Sequence, residues 1–245
     1  MKQVVIFLWG ITFICDAALP MLPTGWRVHD VNRPKPDTVQ PGKTFREAPS
    51  DAIVLFDGTS VDAWWSAKGD IPWILRDGYM EVVPGSGNLS TKQAFGNLQL
   101  HLEWAAPEKI VEKTVRRGNS GVFLMGKYEI QIMDAWENSG YPDGMVGAVY
   151  GQHPALVTAA REPGAWQTYD IIFTAPVFKN GALDSPAYVT VFHNGVLVQN
   201  HTEIYGPTRH KKRLPYVEHE AKQPFYIQNH GQPVRFRNIW VRELD

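Results

Sequence analysis

From Asp51 onward the chain is a succession of short apolar or alternating runs, and no helical period persists for long: AIVLF, YMEVV, LQLHLEW, GVFLM, YEIQIM, TYDIIFTA, AYVTVF, VLVQN, FYIQN and VRFRNIWV. Each run spans a few residues and is bounded by Gly, Pro, Asn, Asp or Ser, the pattern of a sandwich or barrel of antiparallel strands. Asn194-Gly195, between YVTVFH and VLVQNH, is the signal for a type I′ hairpin turn, which places His193 and His201 on paired strands. The best helical candidate, EKIVEKTVRR (108–117), is charged, ends at Gly118 and reads as a loop excursion. In the last run, Val234, Phe236 and Ile239 need a core, and their change of parity around Asn238 predicts a bulge. The predicted fold class is therefore all-β, with the last strand in the body of the sandwich.

The residues before Asp51 differ in kind. Lys2, the apolar run Val4 to Ile14 and the small residues Ala17 and Ala18 have the three regions of a secretory signal peptide, assigned here to residues 1–18. This predicts export, to a periplasmic or extracellular location. The one cysteine, Cys15, falls inside that segment, so the mature chain has no thiol for a disulfide, zinc site or nucleophile. No later segment approaches the roughly 20 apolar residues that a membrane-spanning helix needs. Residues 19–50 are rich in proline and poor in periodic apolar residues, and read as an extended arm or linker before a domain at 51–245. With 24 Lys plus Arg against 25 Asp plus Glu, the chain lacks the charge of a nucleic-acid or anionic-membrane binder, and neutral partners are expected. There is no GxGxxG for a dinucleotide. The oligomeric state is not legible.

The strand YEIQIMD carries the most specific signal. Tyr128, Ile130 and Ile132 share one face with Asp134, and Glu129, Gln131 and Met133 share the other. If the first set is core, the second lines the outer face of its sheet. A jelly-roll glucanase presents carboxylates in this way, but ordinary glycoside hydrolysis needs two carboxyl groups about 5 to 9.5 Å apart, and here Glu129 is followed by an amide and a thioether. A two-carboxylate glucanase is disfavoured.

The motifs LFDG (55–58), GNSGVFLMGKYEIQIMD (118–134), GAVYG (147–151), PGAWQTYDIIFTAP (163–176), YVTVFHNGVLVQNH (188–201), GPT (206–208) and QNHGQPVRFRNIWVREL (228–244) together resemble the 3-keto-disaccharide hydrolase family. The resemblance runs over roughly residues 51–245 and implies a concanavalin A-like jelly roll, two antiparallel sheets with a concave groove. One departure stands out: the chain has Gln228-Asn229-His230-Gly231 where QDHG is expected in close relatives, so a carboxylate at position 229 is missing. The implied substrate suits a site with one good carboxylate. Oxidation of a sugar at C3 acidifies the C2 proton, so one base can remove it, the glycosidic oxygen can leave C1 by elimination, and water can add afterwards.

On this reading Glu129 is the candidate base and His230 its catalytic companion, with Gln131, Tyr150, Trp166, Asp170, His201, Gln228, Arg235 and Arg237 as candidates for substrate binding. Gln228 shares parity with His230, and Arg235 with Arg237; they join Glu129 only if their strands neighbour its strand. Each candidate has a structural alternative, in packing, at a strand end or as a solvated face. A divalent cation stabilising an enolate is open: His201, His210, His219, His230, Asp134 and Glu129 are suitable ligand types, but their spacing matches no template. A non-catalytic carbohydrate-binding module, with Trp64, Trp65 and Trp136 as a platform, is the main alternative to an enzyme acting on oxidised sugars.

Overall fold

The computed structural model describes residues 19–109 and 116–244. The expected signal peptide with Cys15 and the centre of the 108–117 segment lie outside the described residues. The chain forms two compact units, 1–38 and 39–245. In the first, Met21 bridges Arg27 around a tight turn closed by Leu22 N–H donating to the Trp26 carbonyl.

The second unit is an antiparallel sandwich. One sheet has the order β13 (Val196–Glu203), β12 (Tyr188–His193), β9 (Gln167–Thr174), β6 (Leu98–Ala105), β17 (Arg235–Glu243), β4 (Tyr79–Glu81) and β3 (Ile74–Arg76), with β1 (Ile53–Phe56) also on β17. The facing sheet has the order β2 (Trp64–Trp65), β5 (Leu89–Thr91), β16 (Tyr226–Ile227), β7 (Ser120–Leu124) and β8 (Tyr128–Ile132). Two small hairpins, β10–β11 (Val177–Lys179, Ala182–Ser185) and β14–β15 (Thr208–Arg209, Lys212–Arg213), complete it.

Alternation selects the core. Leu98, Leu100, Leu102 and Trp104 of β6 and Tyr169, Ile171 and Phe173 of β9 face Val122 and Leu124 of β7 and Tyr128, Ile130 and Ile132 of β8, all buried in one cluster. Burying such a side chain is worth about 1.5–3 kcal/mol, and slipping any strand by one residue would turn its whole set to the outside. Register is therefore strongly specified, and the outward sets are specified with it.

Asn194 and Gly195 both take positive φ, 53° and 79°, as the two centres of a type I′ turn. The bulge at Asn238 is present: φ is 47°, and pairing on β6 jumps from Arg237 opposite Glu103 to Trp240 opposite His101. Its side chain turns outward and Nδ2 donates to the Arg46 carbonyl at 2.8 Å, where Trp240 Nε1 also donates at 3.1 Å. The Pro-rich stretch is thus not uniform. From Val39 onward it belongs to the same compact unit as the sandwich.

Candidate active site

The five-stranded sheet shows one face to the core, and its other face forms a cleft of about 790 Å³. Register builds the floor. Tyr226 lies opposite Phe123 and Phe123 opposite Glu129, so these three make one row across β16, β7 and β8. The next row runs from Gln228, whose N–H donates to the Gly121 carbonyl at 2.9 Å, through Gly121 to Gln131. The Phe123 and Tyr226 rings stack at 4.4 Å, an apolar surface of the kind that covers the C–H face of a sugar.

Glu129 is only 4% exposed. Its carboxyl lies over Gly121, where an added Cβ would stand 2.5 Å from Oε1, so the glycine makes room for the acid. Among the described residues no cation pairs with it, and burial pushes its pKa from 4.5 up to about 8. Desolvation penalises the charged form, and among the described residues no ion pair offsets it. With the Gln131 amide oriented nitrogen toward Glu129, Nε2 donates to Oε1 at 2.9 Å and to the Ser120 carbonyl at 3.3 Å.

The walls are tied to the same strand. Tyr150 N–H donates to the Glu129 carbonyl at 3.1 Å, and the Tyr150 hydroxyl lies 3.0 Å from that of Tyr141 and 2.9 Å from His210 Nδ1, a chain of exchangeable protons along the cleft. Burial, first, and the Tyr141 hydroxyl, second, raise the pKa of Tyr150 and keep it protonated. On the other side, Glu129 N–H donates to Thr208 Oγ1 at 3.0 Å and Thr208 N–H to the Lys127 carbonyl at 2.8 Å. These two bonds dock the β14–β15 hairpin on the edge of β8, so that Arg209, His210 and Lys212 enter the cleft. Gln228 Oε1 is buried in the same place and has no hydrogen-bond donor among the described residues.

Five of the ten catalytic and substrate-binding candidates therefore meet here: Glu129, Gln131, Tyr150, Gln228 and His230. The other five do not. Trp166, Asp170, Arg235 and Arg237 are on or beside β9 and β17, which flank β6 in the opposite sheet, so the neighbouring of the arginine strand and the Glu129 strand does not occur. There Arg237 ion-pairs with Glu103 at 2.7 Å and covers the Trp166 ring at 4.0 Å, and Arg235 donates to the Gly164 carbonyl. Asp170 bonds His101 Nδ1 at 2.6 Å. His201, at a bulge with φ 46°, stacks on Tyr188 at 4.4 Å. The proposed tryptophan platform also separates: Trp64 is buried, and Trp65 on β2 sits on the edge strand opposite β8, beyond which Trp136 lies.

Of the metal-ligand candidates, Glu129, His210 and His230 line the cleft, and Asp134, His201 and His219 do not. Asp134 is buried against Arg117 at 2.6 Å, His219 Nε2 meets the Tyr128 hydroxyl at 2.9 Å, and among the described residues no three His, Cys, Asp or Glu converge. Asn229, which stands where a carboxylate was expected, points away from the cleft: Nδ2 donates to the Val83 carbonyl and Ser86 Oγ, and Oδ1 accepts from Gly231 N–H. An aspartate there would lose both donated bonds.

Alternation alone does not reveal Phe123, Tyr141, Thr208, Tyr226 or the basic hairpin as cleft residues. The one available signal was the run TRHKKR (208–213), whose charge disappears in a near-neutral total.

The family model of the 3-keto-alpha-glucoside-1,2-lyase-like domain matches residues 51–242. A 3-keto-disaccharide hydrolase of Bacteroides thetaiotaomicron is 24% identical, over 81% of either chain. A Parabacteroides distasonis crystal structure, provisionally described as a glycosyl hydrolase, is 42% identical with a TM-score of 0.83 and covers 92% of this chain and 100% of its own. A second structure from the same organism, described in the same terms, is 19% identical with a TM-score of 0.58, over 80% and 94%, and shares the fold. With its matched segment extending over nearly the whole sandwich, the chain belongs to the 3-keto-alpha-glucoside-1,2-lyase-like family.

Proposed function

We propose that the cleft cleaves the glycosidic bond of 3-keto-glycosides, with Glu129 as the base that takes the C2 proton. The observation that carries this is a buried carboxyl, on the floor of a cleft large enough for a disaccharide, that among the described residues has neither an ion-pair partner nor a second carboxyl lining the cleft with it. Cleavage of an ordinary glycoside would need a second carboxyl group facing it; a 3-keto sugar needs one base. The names of the family and of the Bacteroides relative point to the same substrates.

The C2–H electron pair moves into an enolate as Glu129 takes the proton. The enolate re-forms the C3 carbonyl while expelling the oxygen from C1, which collects a proton as it leaves. Water then adds across C1 and C2, its hydroxyl to C1 and a proton to C2, so the net change is hydrolysis. Tyr150, hydrogen-bonded to His210, is placed to give the leaving oxygen its proton, and the Gln131 amide holds Glu129 in position. A carboxyl near pKa 8 is a stronger base than an ordinary one, and at neutral pH about a tenth of it is ionised. We place the reaction outside the cytoplasm on the strength of the N-terminal signal pattern.

Cleavage of a 3-keto-disaccharide in heavy water tests the route. Elimination and hydration put solvent deuterium at C2 of the released keto sugar, after correction for exchange in the free product. Direct hydrolysis leaves C2 unlabelled, and unlabelled product would overturn the proposal.

A further inference from the structure

The β14–β15 hairpin carries Arg209, His210, Lys211, Lys212 and Arg213 on five consecutive residues of a chain whose net charge is −1. It walls a second cavity of about 390 Å³ that opens beside the cleft and shares Tyr141, Tyr150, Arg209, His210 and Lys212 with it. One carboxylate, Asp143, lines that cavity. Among the described residues none of Arg209, Lys211, Lys212 and Arg213 forms an ion pair; Arg213 only covers the Tyr205 ring, at 5.1 Å.

Elsewhere in the sandwich Arg117 is matched by Asp134 and Arg237 by Glu103. Four unmatched cations beside one carboxylate, gathered in a concave space of monosaccharide size, raise the local concentration of anions and hold an oxyanion by charge-assisted hydrogen bonds. The hairpin is not a free arm, because Thr208 fastens it to Glu129 and Lys127. Its backbone is therefore fastened to the strand that carries the reacting carboxyl.

We infer that this second cavity is the leaving-group subsite and that it selects an aglycone bearing an oxyanion, either a carboxylate as in a hexuronic acid or a sulfate ester. This rests on the reading of the neighbouring cleft as the place where the glycosidic bond is cut. Net charge, the ground for expecting neutral partners, averages over the chain and does not register this wall, where like charges are concentrated on one short hairpin.

The test uses the intact protein and aryl 3-keto-glucosides, both anomers, with a 4-carboxylate, a 4-sulfate or an isosteric neutral 4-carboxamide on the ring. One or both anionic substrates are expected to exceed the carboxamide in kcat/KM by about tenfold or more at about 0.02 M salt, the margin shrinking severalfold at about 0.5 M. Which anion leads identifies the source of the oxyanion. Lys211→Asn combined with Arg213→Gln, neither lining the cleft that holds the reacting carboxyl, should shrink the margin severalfold by lowering kcat/KM for the anionic substrates toward that for the carboxamide. Equal rates for charged and neutral substrates, or a margin insensitive to salt and to the double substitution, would overturn the inference and leave the cleavage reaction standing. Binding of the unoxidised aryl glucosides, followed by calorimetry, separates the other failure. A preference for the anion without turnover of any keto substrate supports the subsite and refutes the reaction, whereas no preference refutes the subsite.

Discussion

Two buried glutamates stand on the outer faces of the two sheets, almost equally hidden and oppositely provided for. Glu103 on β6, 3% exposed, accepts from Arg237 Nε at 2.8 Å and Asn238 Nδ2 at 3.1 Å. Around it His101 pairs with Asp170 and stacks on Trp240, and Trp166 lies under Arg237. The Glu103 carboxylate thus has a cation and a second donor. Glu129 on β8, 4% exposed, has an amide beside it and, among the described residues, no ion-pair partner. At about 1.4 kcal/mol per unit, the rise from 4.5 to about 8 represents a penalty on ionisation on the order of 5 kcal/mol. A fold has no need to keep such a group for stability. A satisfied buried charge is a joint, and an unsatisfied one is a candidate for chemistry.

This contrast can be broken at several points. Glu129→Gln, which keeps the shape and removes the base, should lower turnover of a 3-keto-disaccharide by about 10³-fold, within the range for general-base catalysis, in steady-state assays; a loss under threefold would remove Glu129 from the reaction. Gly121→Ala comes next. Its new Cβ meets the end of the Glu129 side chain at 2.5 Å, so the carboxyl must move while the strand stays. A displacement near an ångström should cost roughly 10²-fold in kcat, with the circular dichroism spectrum unchanged.

Glu103→Gln should show the reverse pattern. Removing one partner of the pair costs stability, about 1–3 kcal/mol because Arg237 retains some contact with water, while turnover should stay within a few-fold of wild type. Denaturant melts and the same assay check both halves.

A stability trend with pH follows from the same uncompensated carboxyl. Folded Glu129 keeps its proton between about pH 4.5 and pH 8, where the unfolded chain releases it, so the wild type loses stability as pH rises through that window and levels above it. The Glu129→Gln variant lacks this loss. Its melting temperature should match wild type near pH 4.5 and exceed it near pH 9.

The contrast also marks what was legible in the sequence. Period-two alternation separates Tyr128, Ile130 and Ile132 from Glu129 and Gln131, and Asn-Gly places the β12–β13 turn, because both are local consequences of backbone geometry. Alternation reports only inward or outward. It cannot report which sheet a strand joins, so Arg235 and Arg237 on β17 look equivalent to Gln228 and His230 until the long-range pairing of β17 with β6 sends them to the other face of the molecule. Gly121 opens the run GVFLM, and its role in admitting the Glu129 carboxyl depends on a neighbour across the β7–β8 pair. The basic hairpin was visible as letters, but its strands are two residues long and its position depends on two hydrogen bonds to β8 and its turn.

The pH dependence of kcat/KM for a 3-keto-disaccharide tests most directly whether the uncompensated carboxyl is the working group. With Glu129 as the base, kcat/KM should rise tenfold per unit at low pH and bend to a plateau at a midpoint near 8, the value to which burial pushes this carboxyl. A profile already flat from about pH 6 upward, or one bending near the ordinary carboxylate range of about 4 to 5, would contradict it.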